Sequence, residues 1–194
     1  MTPTTLTAAP VASPLRPWYL VAAAGALAVM IAAILSPSLW FLNFLHVMTG
    51  ALWTGIDLFM GFVIGPVLRR VSLDTRRAMI AGIIPRTLIL MPTLSIITST
   101  AGWFLGVRLG YLNLGFPEFW WVVAALGIVT ILTVQGLGVL LPMNLKLYFE
   151  IQKLSPDHDK LKRWMRTYVR VVAVQGTMQV LSFSRSGESF WISK

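Results

Sequence analysis

The sequence predicts an all-α fold, a polytopic membrane bundle of about five transmembrane helices. Three observations predict it. First, 56% of the 194 residues are hydrophobic, only 12% are charged and the mean hydropathy is +0.74, whereas soluble domains carry about 25% charged residues. A chain this size cannot hide so much apolar surface from water, so lipid is the expected solvent. Second, the apolar residues gather in long runs. Third, the basic residues fall on alternate connections between those runs. The composition excludes a disordered chain, an ordinary soluble enzyme and a disulfide-stapled domain. With no cysteine, thiolate metal sites, iron–sulfur clusters and cysteine nucleophiles are excluded too.

Residues 1–17 are rich in Thr, Ala and Pro and read as a flexible cytoplasmic tail. The first span is 18–35, ended by Ser36-Pro37; its long polar leader and unclear cleavage site argue for a retained helix over a signal peptide. The second is 38–68, longer than the roughly 20 residues that cross the hydrocarbon, so it tilts or protrudes before Arg69-Arg70. Met79 to Ile84 read as an interfacial turn, and Pro85 and Pro92 should kink the entry to the third span, 87–106. A Gly-rich loop leads to the fourth span, 119–141, opened by the aromatic belt Phe119-Trp120-Trp121. That helix continues past Pro142 as an amphipathic extension. The fifth span is 164–183, with Arg166 and Arg170 in its first turns able to snorkel; 184–194 is a polar tail.

The turns at Arg69–Arg77 and Lys146–Arg170 hold eleven Lys and Arg, and the opposite loops hold one, Arg108. The amino end is therefore expected in the cytoplasm and the carboxyl end outside. The same placement argues against nucleic acid, because the net charge of +9 sits in short turns whose natural partners are anionic headgroups.

Three strongly ionisable residues lie inside the spans: His46, Asp57 and Arg86. Such residues mark function by default. His46 and Asp57 are eleven apart, which leaves them roughly 20° apart in rotation and about 16 Å apart along a helix. Gly50 and Trp53 share their stripe, so this face must point into the bundle. His46 is a candidate haem axial ligand or metal ligand, with Trp53 beside the same site; the plainer alternative is a histidine bonded to a neighbouring helix. Only one other histidine exists, His158 in a polar loop, so a bis-histidine haem within the chain is excluded. Asp57 and Arg86 lie at depths within about 5 Å of each other and are expected to form an intramembrane ion pair, structural or part of a proton or ion relay. Gln135, Gln175 and Gln179 read as interhelical glue, Ser95, Thr98, Ser99 and Thr100 as back-bonded to their own helix. Gly61 and Gly65 have the spacing of a helix-packing motif, within the chain or with another chain. No phosphate loop, paired carboxylates or Ser-His-Asp set is present.

The run Leu45-His46-Val47-Met48-Thr49-Gly50-Ala51-Leu52-Trp53-Thr54-Gly55, with the basic stop Leu68-Arg69-Arg70, resembles one bacterial membrane superfamily. It includes the copper-resistance D-type (CopD) proteins, the HemJ-type protoporphyrinogen oxidases, the urate-hydroxylase membrane domain and related uncharacterised integral membrane proteins. The resemblance covers roughly 65 residues, from Leu39 to Gly106. It implies a bacterial inner-membrane location and places the HemJ-type haem b ligand on His46. The lysine that pairs with that histidine has no counterpart in the membrane interior, since Lys146 sits at the end of span four. The expectation is a membrane or accessory subunit beside an electron-transfer complex, binding haem and other membrane subunits. The alternatives are a protoporphyrinogen-oxidase-type enzyme and a copper transport or resistance protein.

Overall fold

The computed structural model describes residues 16–151, 153 and 157–191. The expected amino-terminal tail, up to residue 15, and the last three residues of the polar tail lie outside the described residues, as does the side chain of His158. Every long element is a helix. α1 is Pro17–Leu35. α2 is the continuous rod Leu39–Arg70, with a π-helical stretch at Phe59–Ile64. α3 is Leu73–Arg108, 36 residues. α4 runs Phe119–Gln135, is π-helical at Gly136–Leu140 and ends as Leu141–Ile151. α5 is His158–Trp191.

Local chemistry sets the boundaries. Ser36 breaks α1 with an extended backbone, and two residues on the Ser38 hydroxyl accepts the Phe41 N–H at 3.2 Å to start α2. Ser72 starts α3 in the same way through the Thr75 N–H. The Asp157 carboxylate accepts the N–H groups of Asp159 and Lys160 and starts α5. Basic side chains close two carboxyl ends. Arg76 donates to the carbonyls of Leu68, Arg69 and Val71 at the end of α2, and Arg108 to those of Ile34 and Ser36 at the end of α1. Arg108, the lone basic residue of the connection between α3 and α4, thus has a capping task.

Two expectations change. Met79–Ile84 is not a separate turn: α3 runs unbroken from Leu73, and both Pro85 and Pro92 lie inside it. At 1.5 Å per residue it is about 54 Å long, more than the roughly 30 Å of a bilayer's hydrocarbon core. The segment after Phe183 is not a plain tail, because the α5 backbone stays helical to Trp191.

Three apolar clusters stack along the bundle. Leu42, Ala33, Ala101 and Leu105 join α1, α2 and α3. Trp53, Leu94 and Leu132 fill the middle. Leu68, Ile84, Leu147, Tyr168 and Val172 join α2 to α5 at the other end. α5 runs antiparallel to α2 at very close range. A Cβ on Gly61 would meet the Ala173 backbone at 3.3 Å, one on Gly65 would reach Val169 Cγ1 at 2.7 Å, and one on Gly176 would reach Leu58 Cδ2 at 2.8 Å. The small-residue pair Gly61 and Gly65 is therefore filled by the chain's own fifth helix and presents no groove to another subunit.

Outside these contacts the helices are apolar and bare. Val21, Ile31, Leu52, Phe62, Ile131 and Val134 are all more than half exposed. Trp40, Trp103, Trp120 and Trp121 are exposed near the ends that face away from the basic turns, as expected of an interfacial belt. Among the described residues four helices are long and apolar enough to cross a membrane, α1 to α4. That pattern fits an integral membrane protein with lipid around it.

Candidate functional site

The stripe expected on α2 is turned inward. Gly50, Trp53 and Asp57 are buried, Asp57 at 1% exposure, and His46 is half-buried. It meets two different environments.

At His46 the partner is α3. The ring Nδ1 lies 2.9 Å from the Thr98 carbonyl oxygen. A carbonyl only accepts, so Nδ1 carries the hydrogen, and the lone pair of the neutral ring falls on Nε2. Thr98 also donates its hydroxyl to Thr49 at 2.9 Å, and Thr49 donates to the Leu45 carbonyl at 2.7 Å. Gly102 makes the approach possible: a Cβ there would lie 2.6 Å from His46 Cε1 and 2.8 Å from Nδ1. Thr98, read from sequence as bonding its own helix, instead bridges two helices.

At Asp57 the partner is α5. The Gln175 Nε2 donates to Asp57 Oδ2 at 2.8 Å, and the buried Gln179 amide lies near the same carboxyl. Gln175 is 1% exposed and its own Oε1 has no hydrogen-bond partner. Next to this carboxyl lies a cavity of about 30 Å³, lined by residues of α2, α3, α4 and α5, enough for one or two waters. Trp53 forms part of its wall, so it belongs to the Asp57 site rather than to a site shared with His46. Tyr168 and Asn144, hydrogen-bonded to each other, close another side.

The expected Asp57–Arg86 ion pair is not formed. Arg86 is exposed; its Nε donates to the Tyr19 hydroxyl at 3.1 Å and its Nη1 to the Gly82 carbonyl at 2.8 Å. The two side chains point apart: Asp57 faces α5, whereas Arg86 lies on the α1 side of α3. Gln135 does act as glue, donating to the Val171 carbonyl at 3.1 Å.

Sequence reasoning missed Tyr168 and Asn144. A single phenol in an amphipathic helix and a single amide after Pro142 carry no spacing signal. Gln175 and Gln179, four apart on one face, were visible as a pair but not as the partners of Asp57.

As a metal or haem site, His46 offers one ligand. Among the described residues no three His, Asp or Glu side chains converge. Lys146 lies beside Leu147 in the cluster near Leu68, at the other end of α2 from His46, so it supplies no second ligand. In comparisons with known proteins the chain matches no family model, no curated protein and no solved structure.

Proposed function

We propose that this chain is a five-span inner-membrane subunit of a redox assembly and that His46 is the residue through which it engages a haem b or metal group. The observation that carries the reading is the Nδ1–H bond to the Thr98 carbonyl. Ligating histidines characteristically donate their second ring nitrogen to a carbonyl or carboxylate, which fixes the tautomer and raises the basicity of the free nitrogen. Gly102 holds the ring in that geometry. The resemblance of the Leu45–Gly55 run to the CopD, HemJ and urate-hydroxylase membrane families supports the same role for His46. A haem bound here is either five-coordinate in this chain or takes its second ligand from a companion subunit.

The fifth span rests on packing rather than on hydropathy. α5 follows α2 antiparallel through Val169, Ala173 and Gly176, so a membrane-crossing α2 carries α5 across with it. The eleven-to-one bias of basic residues supports an amino end in the cytoplasm.

Mild-detergent extraction followed by native mass spectrometry tests the assembly. The expected result is a complex in which a second membrane subunit travels with this chain. A monodisperse single chain with its own oxidase activity or copper flux would instead support the enzyme or copper-handling alternative.

A further inference from the structure

We propose that the cavity beside Asp57 is a binding site for one small monovalent cation, with the Asp57 carboxylate as its charged ligand. The first ground is charge. Asp57 is fully buried at mid-helix, and its neighbours Gln175, which bonds it, and Gln179 are neutral. Arg86, the cation closest in depth, is engaged with Tyr19 and Gly82 on another face. A buried carboxyl whose neighbours are amides is neutral only when it takes up a proton or is paired with a cation.

The second ground is an unpartnered acceptor. Gln175 presents its amide nitrogen to Asp57, which leaves Oε1 as a buried oxygen without a donor in a residue that lines the cavity. Ser95, also on the wall, donates its hydroxyl to the Pro92 carbonyl at 2.9 Å and so keeps its lone pairs available. Oxygen ligands of this kind suit a hard cation.

The third ground is the backbone. Two helices turn π-helical around this point, and the third, α3, carries a proline there. Pro92, on the cavity wall, has no N–H to give the Leu88 carbonyl, and Leu88 lines the same cavity. The π-helical stretch of α4 begins at Gly136, also on the wall. That of α2 begins two residues after Asp57. Inside a bilayer, irregular backbone is tolerated where it is buried in protein or lines a water-filled cavity, and π-helical stretches recur at functional sites. The space, about 30 Å³, admits a bare ion or one or two waters. Tyr168 is the other titratable group on the wall.

The test uses the purified full chain in nanodiscs. Sodium chloride is titrated against choline chloride at constant ionic strength, and pH is titrated separately in sodium-free choline buffer. The readout is the tryptophan emission that a Trp53→Phe variant loses. One saturable response is expected: to sodium at fixed pH if the ligand is sodium, or to pH without sodium if it is a proton. Asp57→Asn should abolish it, and Ser95→Ala should weaken it about tenfold, the effect of one hydrogen-bonding ligand. A flat response to both titrations, or an undiminished one in Asp57→Asn, would overturn the proposal. If Asp57→Asn does not fold, an unchanged midpoint in Ser95→Ala overturns it instead. None of these readouts involves His46, so the redox reading stands or fails separately.

Discussion

His46 Nδ1 and the carbonyl oxygen of Thr98 face each other at 2.9 Å across α2 and α3, and Gly102 is what lets them meet. The bond fixes an imidazole that lipid would otherwise leave free to rotate. Gly102→Ala would place a methyl 2.6 Å from His46 Cε1. The ring must then swing away and release Thr98. The expected loss is about 1–3 kcal/mol, the usual range for overpacking, read by denaturant unfolding in detergent. A variant as stable as the wild type would mean that the ring is not seated as described.

The α2–α5 contact gives a geometric prediction. An ideal Cβ on Gly61 lies 3.4 Å from the Ala173 Cβ, close to the mean Cβ separation of about 3.8 Å in disulfides. Because the chain has no cysteine, Gly61→Cys with Ala173→Cys gives an unambiguous pair. Mild oxidation in membranes should join α2 to α5 within one chain, visible as a fragment link after proteolysis between them. Dimers without an internal link would place Gly61 at an interface between chains.

Much of this arrangement was readable in the sequence because lipid leaves few options. Apolar runs had to be helices, and a helix carrying His46, Trp53 and Asp57 within one narrow sector had to turn it inward. The lateral partner of that sector was not readable. Depth along the normal follows from counting residues, but which helix sits beside which follows from side-chain fit. The fit is set by Gly61, Gly65 and Gly176, small residues that a hydropathy reading passes over. For that reason Arg86 looked like the partner of Asp57 when α5 supplies it through Gln175. The continuous α3 has a similar cause: a helix can keep its course through Pro85 and Pro92 when neighbouring helices hold it, which the local propensity of proline does not show.

Topology is tested by labelling. Gly115→Cys, in an open outer loop with no atom within 4 Å of its Cβ position, should react with a membrane-impermeant maleimide on intact spheroplasts. Lys153→Cys, between α4 and α5, should react only after the membrane is opened. The reverse pattern would invert the assigned orientation.

The start of α5 gives a pH dependence. Asp157 accepts the N–H groups of Asp159 and Lys160, and its carboxylate pairs with Lys160 Nζ at 3.2 Å. The Lys160 backbone bond and then its side chain hold the Asp157 carboxyl below the ordinary carboxylate range. A depressed folded-state value means that the stabilisation is present above the unfolded-state value and disappears as pH falls through the folded one. Asp157→Asn should therefore unfold more readily than the wild type at neutral pH, with the gap closing in acid. A gap of equal size at both pH values would remove the charged cap from the account.

The claim that matters most is that His46 Nε2 is a ligand. The most direct measurement is the visible absorption spectrum of the protein purified in mild detergent, together with metal analysis, for wild type and His46→Ala. The account predicts a Soret band or a stoichiometric metal in the wild type that His46→Ala loses while the chain still folds. A colourless, metal-free wild type, or an absorbance and metal content unchanged in His46→Ala, would contradict it and leave His46 as a strut between α2 and α3.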